Sequence, residues 1–185
     1  MSGAVAASLL LAGCGSSSGP SSSSQSRPPK TTTTDPSVTA KPAGATPSDS
    51  AVMVCAAEAQ RDMAATLGVG ATEVTAPTWT DHVYSCTYKY PNGYFVMSVK
   101  ELDSLNQTVA YYDALHARLG ERPGPIALGN GAFVATDGSV VVRKDFKVLL
   151  VDITHLPVQF GTPPQDRSDA ALSIAATVMS CWTGA

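Results

Sequence analysis

Between Gly15 and Ser48, 25 of 34 residues are Ser, Thr, Pro or Gly, and Val38 is the only β-branched aliphatic residue. No apolar periodicity runs through this tract. A segment so poor in apolar side chains buries too little surface to offset the entropy of ordering its backbone. It reads as a disordered tether, residues 14–48 with its leading cysteine, and confines folded structure to residues 49–185. Those 137 residues are enough for one core of ordinary size.

Ahead of the tether, Ala4 to Ala12 forms an apolar run of nine residues. A bilayer span needs about 20, so this is the hydrophobic part of an export leader, residues 1–13, rather than a membrane helix. Met1-Ser2-Gly3 lacks Lys and Arg, which leaves the leader's positive charge to the terminal amine or to residues upstream. The run closes on Leu11-Ala12-Gly13-Cys14, small residues before a cysteine. A lipoprotein signal peptidase reads that arrangement, and the Cys14 thiol is expected to carry a diacylglycerol. Several acyl chains at one residue anchor firmly where one chain holds only marginally. The expected location is the outer side of a cell membrane, and the expected membrane contact is the lipid itself. As a flexible coil the tether spans on the order of 30 Å.

The residues after the tether hold nine Lys or Arg against 14 Asp or Glu, a net charge of −5. A nucleic-acid partner is disfavoured by that balance. The pattern predicts an α+β domain with the order α-β-β-α-β-β-β-α, about five antiparallel strands packed with three helices. The first helix follows Ser48-Asp49-Ser50, carries Val52, Cys55, Ala59 and Met63 at helical spacing, and stops at Gly68. Strands at 84–90 and 94–101 flank Pro91-Asn92-Gly93. A two-residue Asn-Gly turn of type I′ would set Tyr90 opposite Phe95, Tyr88 opposite Met97 and Cys86 opposite Val99. The second helix spans 105–119, with Ser104 and Gln107 as a capping box and Leu105, Val109, Tyr112, His116 and Leu119 as its inward stripe. A Pro/Gly loop at 122–125 precedes a three-strand meander over 132–136, 139–144 and 147–154. Two-residue turns would place Phe133, Ala135, Val140, Val142, Leu149, Val151 and Ile153 on one face. Val134, Val141, Val148 and Leu150 would share the other, too apolar to be solvated and therefore a candidate interaction face unless a helix covers it. The last helix spans about 166–182, with Ala170, Ala171, Ile174, Val178 and Cys181 inward.

With Cys14 acylated, Cys55, Cys86 and Cys181 remain. Export implies an oxidising compartment, hence one disulfide and one cysteine left over. Cys55–Cys86 is favoured because it joins neighbouring elements; Cys55–Cys181 is the alternative. The leftover cysteine reads as a small buried apolar group.

Motifs for chemistry are sparse. His82, His116 and His155 have no metal-ligand spacing, and neither a Cys-x-x-Cys nor a Gly-x-Ser-x-Gly turn is present. No catalytic, cofactor-binding or metal-binding set emerges. A hydrolase using Cys86, His155 and Asp152 is the weakest of three readings. Gly129-Asn130-Gly131 precedes a strand and reads as a turn. Trp79 and Trp182 read as packing residues, and Arg143-Lys144 with Lys147 as a solvated turn. The leading reading is a non-enzymatic binding module that contacts an envelope protein or a cell-wall ligand. The second is a carrier of a lipid or other apolar ligand, which calls for an enclosed cavity.

The sequence also resembles a group of uncharacterised lipoproteins exported by high-GC Gram-positive bacteria. The likeness lies in Cys55, Trp79, Ser85-Cys86-Thr87-Tyr88, Gly129-Asn130-Gly131-Ala132-Phe133, Lys144-Asp145, Leu150-Val151-Asp152 and Cys181-Trp182. It implies no activity and no site residues.

Overall fold

A computed structural model describes residues 41–182. Cys14, the leader and the tether up to residue 40 lie outside them. Residues 43–48, assigned by composition to the tether, run along the domain: the Ala43 amide donates to the Leu102 carbonyl at 3.0 Å and the Trp79 indole donates to the Ala45 carbonyl at 3.1 Å.

The predicted first helix is two. Helix α1 (Asp49–Met53) is capped by Ser48, whose hydroxyl accepts from the Ala51 amide, and α2 (Ala57–Leu67) ends at Gly68. Between them Ala56 is extended, with ψ 156°. Side chains take up the carbonyls this break releases. The Tyr88 hydroxyl donates to the Val54 carbonyl at 2.6 Å, and the Gln60 amide donates to the Cys55 carbonyl at 2.9 Å. Helical spacing alone could not show the break, because the residues on both sides keep the helical period.

Two short strands not foreseen from the pattern, β1 (Glu73–Val74) and β2 (Thr78–Thr80), pair with β3 (Val83–Tyr90). Pro77, which has no amide hydrogen to donate, lies between them. Strand β3 pairs with β4 (Gly93–Glu101), but Tyr88 opposes Phe95 and Cys86 opposes Met97. The register differs by two residues from the expected one because Pro91 and Asn92 form the turn, with Tyr90 opposite Gly93. Proline holds φ near −65°, so a type I′ turn cannot be built on it. A shift of two keeps every side chain on its expected face.

Helix α3 (Leu105–Leu119) has the predicted bounds. The meander follows as β5 (Gly131–Val134), β6 (Val140–Lys144) and β7 (Lys147–Asp152). Here the correction matters. Phe133 opposes Val141 and Val134 opposes Val140, a slip of one residue that exchanges the faces of β5. The turn holds three residues rather than two, because the Ala135 amide already bonds the Ser139 carbonyl at 2.7 Å. Gly138 closes it at φ 95°, where a side chain would be strained. Short strands β8 (Gln159–Phe160) and β9 (Gln165–Asp166) pair with each other before α4 (Arg167–Cys181).

The main sheet runs β1-β3-β4-β7-β6-β5, with β2 also on β3, and every pair is antiparallel. The class is α+β as expected, with seven strands in the main sheet, two in the small β8-β9 sheet and four helices among the described residues. The first face buries Tyr84, Cys86, Tyr88, Phe95, Met97, Val99, Val140, Val142, Leu149 and Val151 in one core with residues of α1, α2 and α4. Tyr88 stacks on Phe95 at 4.7 Å between ring centres. Burial raises the Tyr88 hydroxyl far above the ordinary tyrosine range and pushes Tyr90 up to about 12. Cys55 and Cys86 form the favoured disulfide, pinning the helix break to β3 with 6.1 Å between Cα atoms. Cys181 is half-buried rather than buried, with its sulfur 4.0 Å from Asp62 Oδ2.

Candidate functional site

The second face of the sheet is divided. Over β5, β6 and β7, helix α3 covers it: Phe133, Ala135, Val141 and Val148 are buried with Leu115, and Tyr111, Tyr112, Leu119 and Leu150 pack against them. The predicted interaction face is therefore not open. Val141 and Val148 are fully buried beneath α3, and Leu150 is half-buried beside them. Val134 lies on the first face instead, by the one-residue slip of β5. The expected stripe of α3 holds over its second half, where Tyr112 and Leu119 pack on the core and His116 meets Phe133, but not at its start. Thr108 and Leu115 point inward, whereas Leu105 is 52 % exposed and Val109 39 % exposed.

Among the described residues no helix packs broadly on that face over β2, β3 and β4. Its side chains are Val83, Ser85, Thr87, Val96, Ser98 and Lys100, all half-buried, with Thr78 sharing a hydroxyl hydrogen bond with Ser85 at 3.0 Å. At the seam between the open strands and α3 lies a cleft of about 500 Å³. Three structural elements contribute to it. The Asp81-His82 turn supplies His82; the end of β4 and the link after it supply Lys100, Leu102 and Asp103; α3 supplies Gln107, Ala110 and Tyr111.

Local backbone chemistry builds this cleft. Thr80 opposes Val83, and both Asp81 (φ 50°) and His82 (φ 57°) occupy the left-handed region, as a type I′ turn demands. The Lys100 ammonium donates to the Asp81 carbonyl and the Glu101 amide donates to the His82 carbonyl at 2.8 Å, fastening the turn to β4. The His82 ring also meets Trp79 edge-on at 5.6 Å. At the opposite wall Ser104 caps α3, accepting from the Gln107 amide at 3.2 Å. The Gln107 side-chain oxygen accepts from the Asp103 amide at 3.0 Å, one residue before the Ser104 amide that a full capping box would engage. That bond fixes which end of the Gln107 amide faces outward: the NH2 group.

The charges of the cleft are separated. Glu101, which also borders it, is buried and holds the Ser48 amide and hydroxyl. Lys100 and Asp103 take part in none of the ion pairs among the described residues. The arrangement offers a ligand opposite charges at two points, and the lining adds donor groups and a phenol.

Other expected residues fall elsewhere. Cys86 is committed to the disulfide, His155 stacks on Tyr94 at 4.3 Å, and the Asp152 carboxylate accepts from the Thr154 amide and hydroxyl. The three do not form a nucleophilic set, since a bridged sulfur is no thiolate. His116 pairs with Glu121 at 2.8 Å and meets Phe133 edge-on. Trp182 is buried and its carbonyl accepts from Lys144; Trp79 is half-buried. The supposed solvated turn at 143–147 is partly interior, with Lys147 only 3 % exposed. Arg143 lies over the Tyr112 ring at 5.7 Å and donates to the Asn130 carbonyl at 2.8 Å. Asn130 in turn holds the Asp145 amide, which makes 129–131 a turn as expected.

Among the described residues no group of three or more His, Cys, Asp or Glu is arranged to hold a metal, and no helix is long and apolar enough to cross a membrane. No family model, no curated protein and no solved structure matches this chain.

Proposed function

We propose that this chain is a lipid-anchored, extracytoplasmic binding module of a cell envelope, and that it acts without catalysis. The Cys55–Cys86 bridge carries this reading, in a chain whose early residues are Leu11-Ala12-Gly13-Cys14. Protein disulfides persist in oxidising compartments and are rare in the cytosol. The resemblance to exported lipoproteins points the same way. The ligand site of the module is the cleft at the seam. It draws on three elements held together by backbone hydrogen bonds, and the chain enters the domain at its border, where Ala43 bonds Leu102.

The carrier reading draws less support. The cleft at the seam and a second of about 230 Å³ beneath the 122–126 loop both open to solvent, and a lipid carrier calls for an enclosed apolar chamber. The test of the anchored module is metabolic labelling with a fatty acid in a high-GC Gram-positive host, followed by fractionation. Label on the wild type, absent from Cys14→Ala together with release of that variant from the membrane, is the expected result. An unlabelled wild type, or a Cys14→Ala protein as membrane-bound as its parent, overturns it.

A further inference from the structure

The Lys100 ammonium and the Asp103 carboxylate border one cleft, yet neither forms an ion pair within the domain. Oppositely charged groups that share a concave site without joining each other are complementary to a ligand that carries both charges at a distance. Lys100 retains donor capacity beyond its one bond to the Asp81 carbonyl, since an ammonium has three hydrogens. Gln107, its oxygen engaged by the Asp103 amide, offers its NH2 group, a donor suited to a carboxylate. The same lining includes Leu102 and Ala110, which provide apolar surface, and Tyr111, a ring with a hydroxyl. The volume of about 500 Å³ lies within the range of small-ligand sites.

We infer that the cleft takes a short peptide with free ends, its carboxylate toward Lys100 and Gln107 and its ammonium toward Asp103, a step that rests on reading this cleft as the ligand site. Extended chain spans about 3.3–3.6 Å per residue, so two or three residues place the terminal charges apart while the side chains meet Leu102, Ala110 and Tyr111. The Asp81-His82 turn, held in its left-handed conformation by Lys100 and Glu101, keeps this end of the cleft rigid before a ligand arrives.

The test is calorimetric titration of the full-length chain in detergent with alanylalanine, its N-acetyl form, its C-terminal amide and free alanine. Alanylalanine is expected to bind, and each blocked form to bind at least about ten-fold more weakly, the size of one lost charge-assisted hydrogen bond. Lys100→Gln should weaken the dipeptide and abolish its advantage over the amide, and Asp103→Asn should abolish its advantage over the N-acetyl form. The two substitutions are at solvent-accessible positions, and unchanged melting curves verify folding. Free alanine binding as tightly as the dipeptide would overturn the peptide assignment in favour of an amino acid. No heat with alanylalanine at millimolar concentration, blocked forms binding equally well, or variants that weaken all four probes alike would overturn the inference outright. Fatty-acid labelling of Cys14 together with no dipeptide binding removes this inference and leaves the anchored module standing. Dipeptide binding without labelling does the reverse.

Discussion

The two halves of the second sheet face belong to one hydrogen-bonded sheet yet end in opposite situations. Under α3, the half formed by β5, β6 and β7 presents Phe133, Val141, Val148 and Leu150 and is sealed. The half formed by β2, β3 and β4 presents Ser85, Thr87, Ser98 and Lys100 and is left partly open to water. One helix of 15 residues can cover only part of a sheet this wide, and it lies where covering removes the most apolar surface from water. The cleft is the boundary between the two, where the helix wall meets an uncovered floor. The cleft arises here from a gradient of side-chain polarity across one sheet.

The sharpest way to break this contrast is to hollow out the sealed half. Phe133→Ala, at a position 1 % exposed, is expected to cost about 3–5 kcal/mol in denaturant unfolding. A cost below 1 kcal/mol would mean that α3 is not held by this packing. On the opposite face, replacing Cys55 and Cys86 by Ala should lower stability by about 3–4 kcal/mol, the amount a cross-link closing a loop of 31 residues contributes. Equal melting curves under reducing and oxidising conditions would show the bridge to be energetically idle. Tyr88→Phe removes the buried hydroxyl that satisfies the Val54 carbonyl, and about 1–3 kcal/mol should be lost.

Alkaline titration separates the faces again. Tyr90 ionises near 10 when unfolded and at about 12 in the folded domain, because burial disfavours the phenolate. The unfolded chain releases this proton first, so the contribution to stability is intact below pH 10 and declines as pH rises toward 12. Denaturant midpoints that stay flat over this interval would contradict a buried Tyr90. The smallest effect should come from Leu105→Ser on the outer side of α3, within about 0.5 kcal/mol, since the residue is 52 % exposed. A loss of 2 kcal/mol there would restore the stripe expected from the sequence and reverse the orientation of the helix.

How much was legible follows from which physical signal each residue carried. Helix α3 was readable to the residue, because Ser104, Gln107 and Gly120 mark its ends chemically. Its facing was legible in part: Tyr112, His116 and Leu119 meet the core as expected, whereas Leu105 and Val109 stay exposed and Thr108 and Leu115 are buried, a choice made by the sheet beneath. The β3–β4 hairpin kept its faces despite a register shifted by two, whereas β5 lost them to a shift of one. The site itself was nearly silent in the sequence. His82, Lys100, Asp103 and Gln107 come from a turn, a strand end and a helix start, with no spacing that announces them. The available hint was the Ser104–Gln107 cap, which orients the Gln107 amide. Asp81-His82 lacked the Asn-Gly signature of its turn type, although Asp tolerates the left-handed region better than most residues.

The sequence by itself indicated that a Ser/Thr/Pro-rich tract precedes a domain with an antiparallel α+β pattern, and that Cys55 and Cys86 lie close enough in fold order to be bridged. Those are properties of short windows, where propensity, period and turn chemistry act locally. Tertiary structure decided where the first helix breaks, which face of β5 is inward, which half of the sheet α3 seals, and hence where a cleft remains. These outcomes depend on burial against distant elements, and the energy of that burial is not written in any one segment.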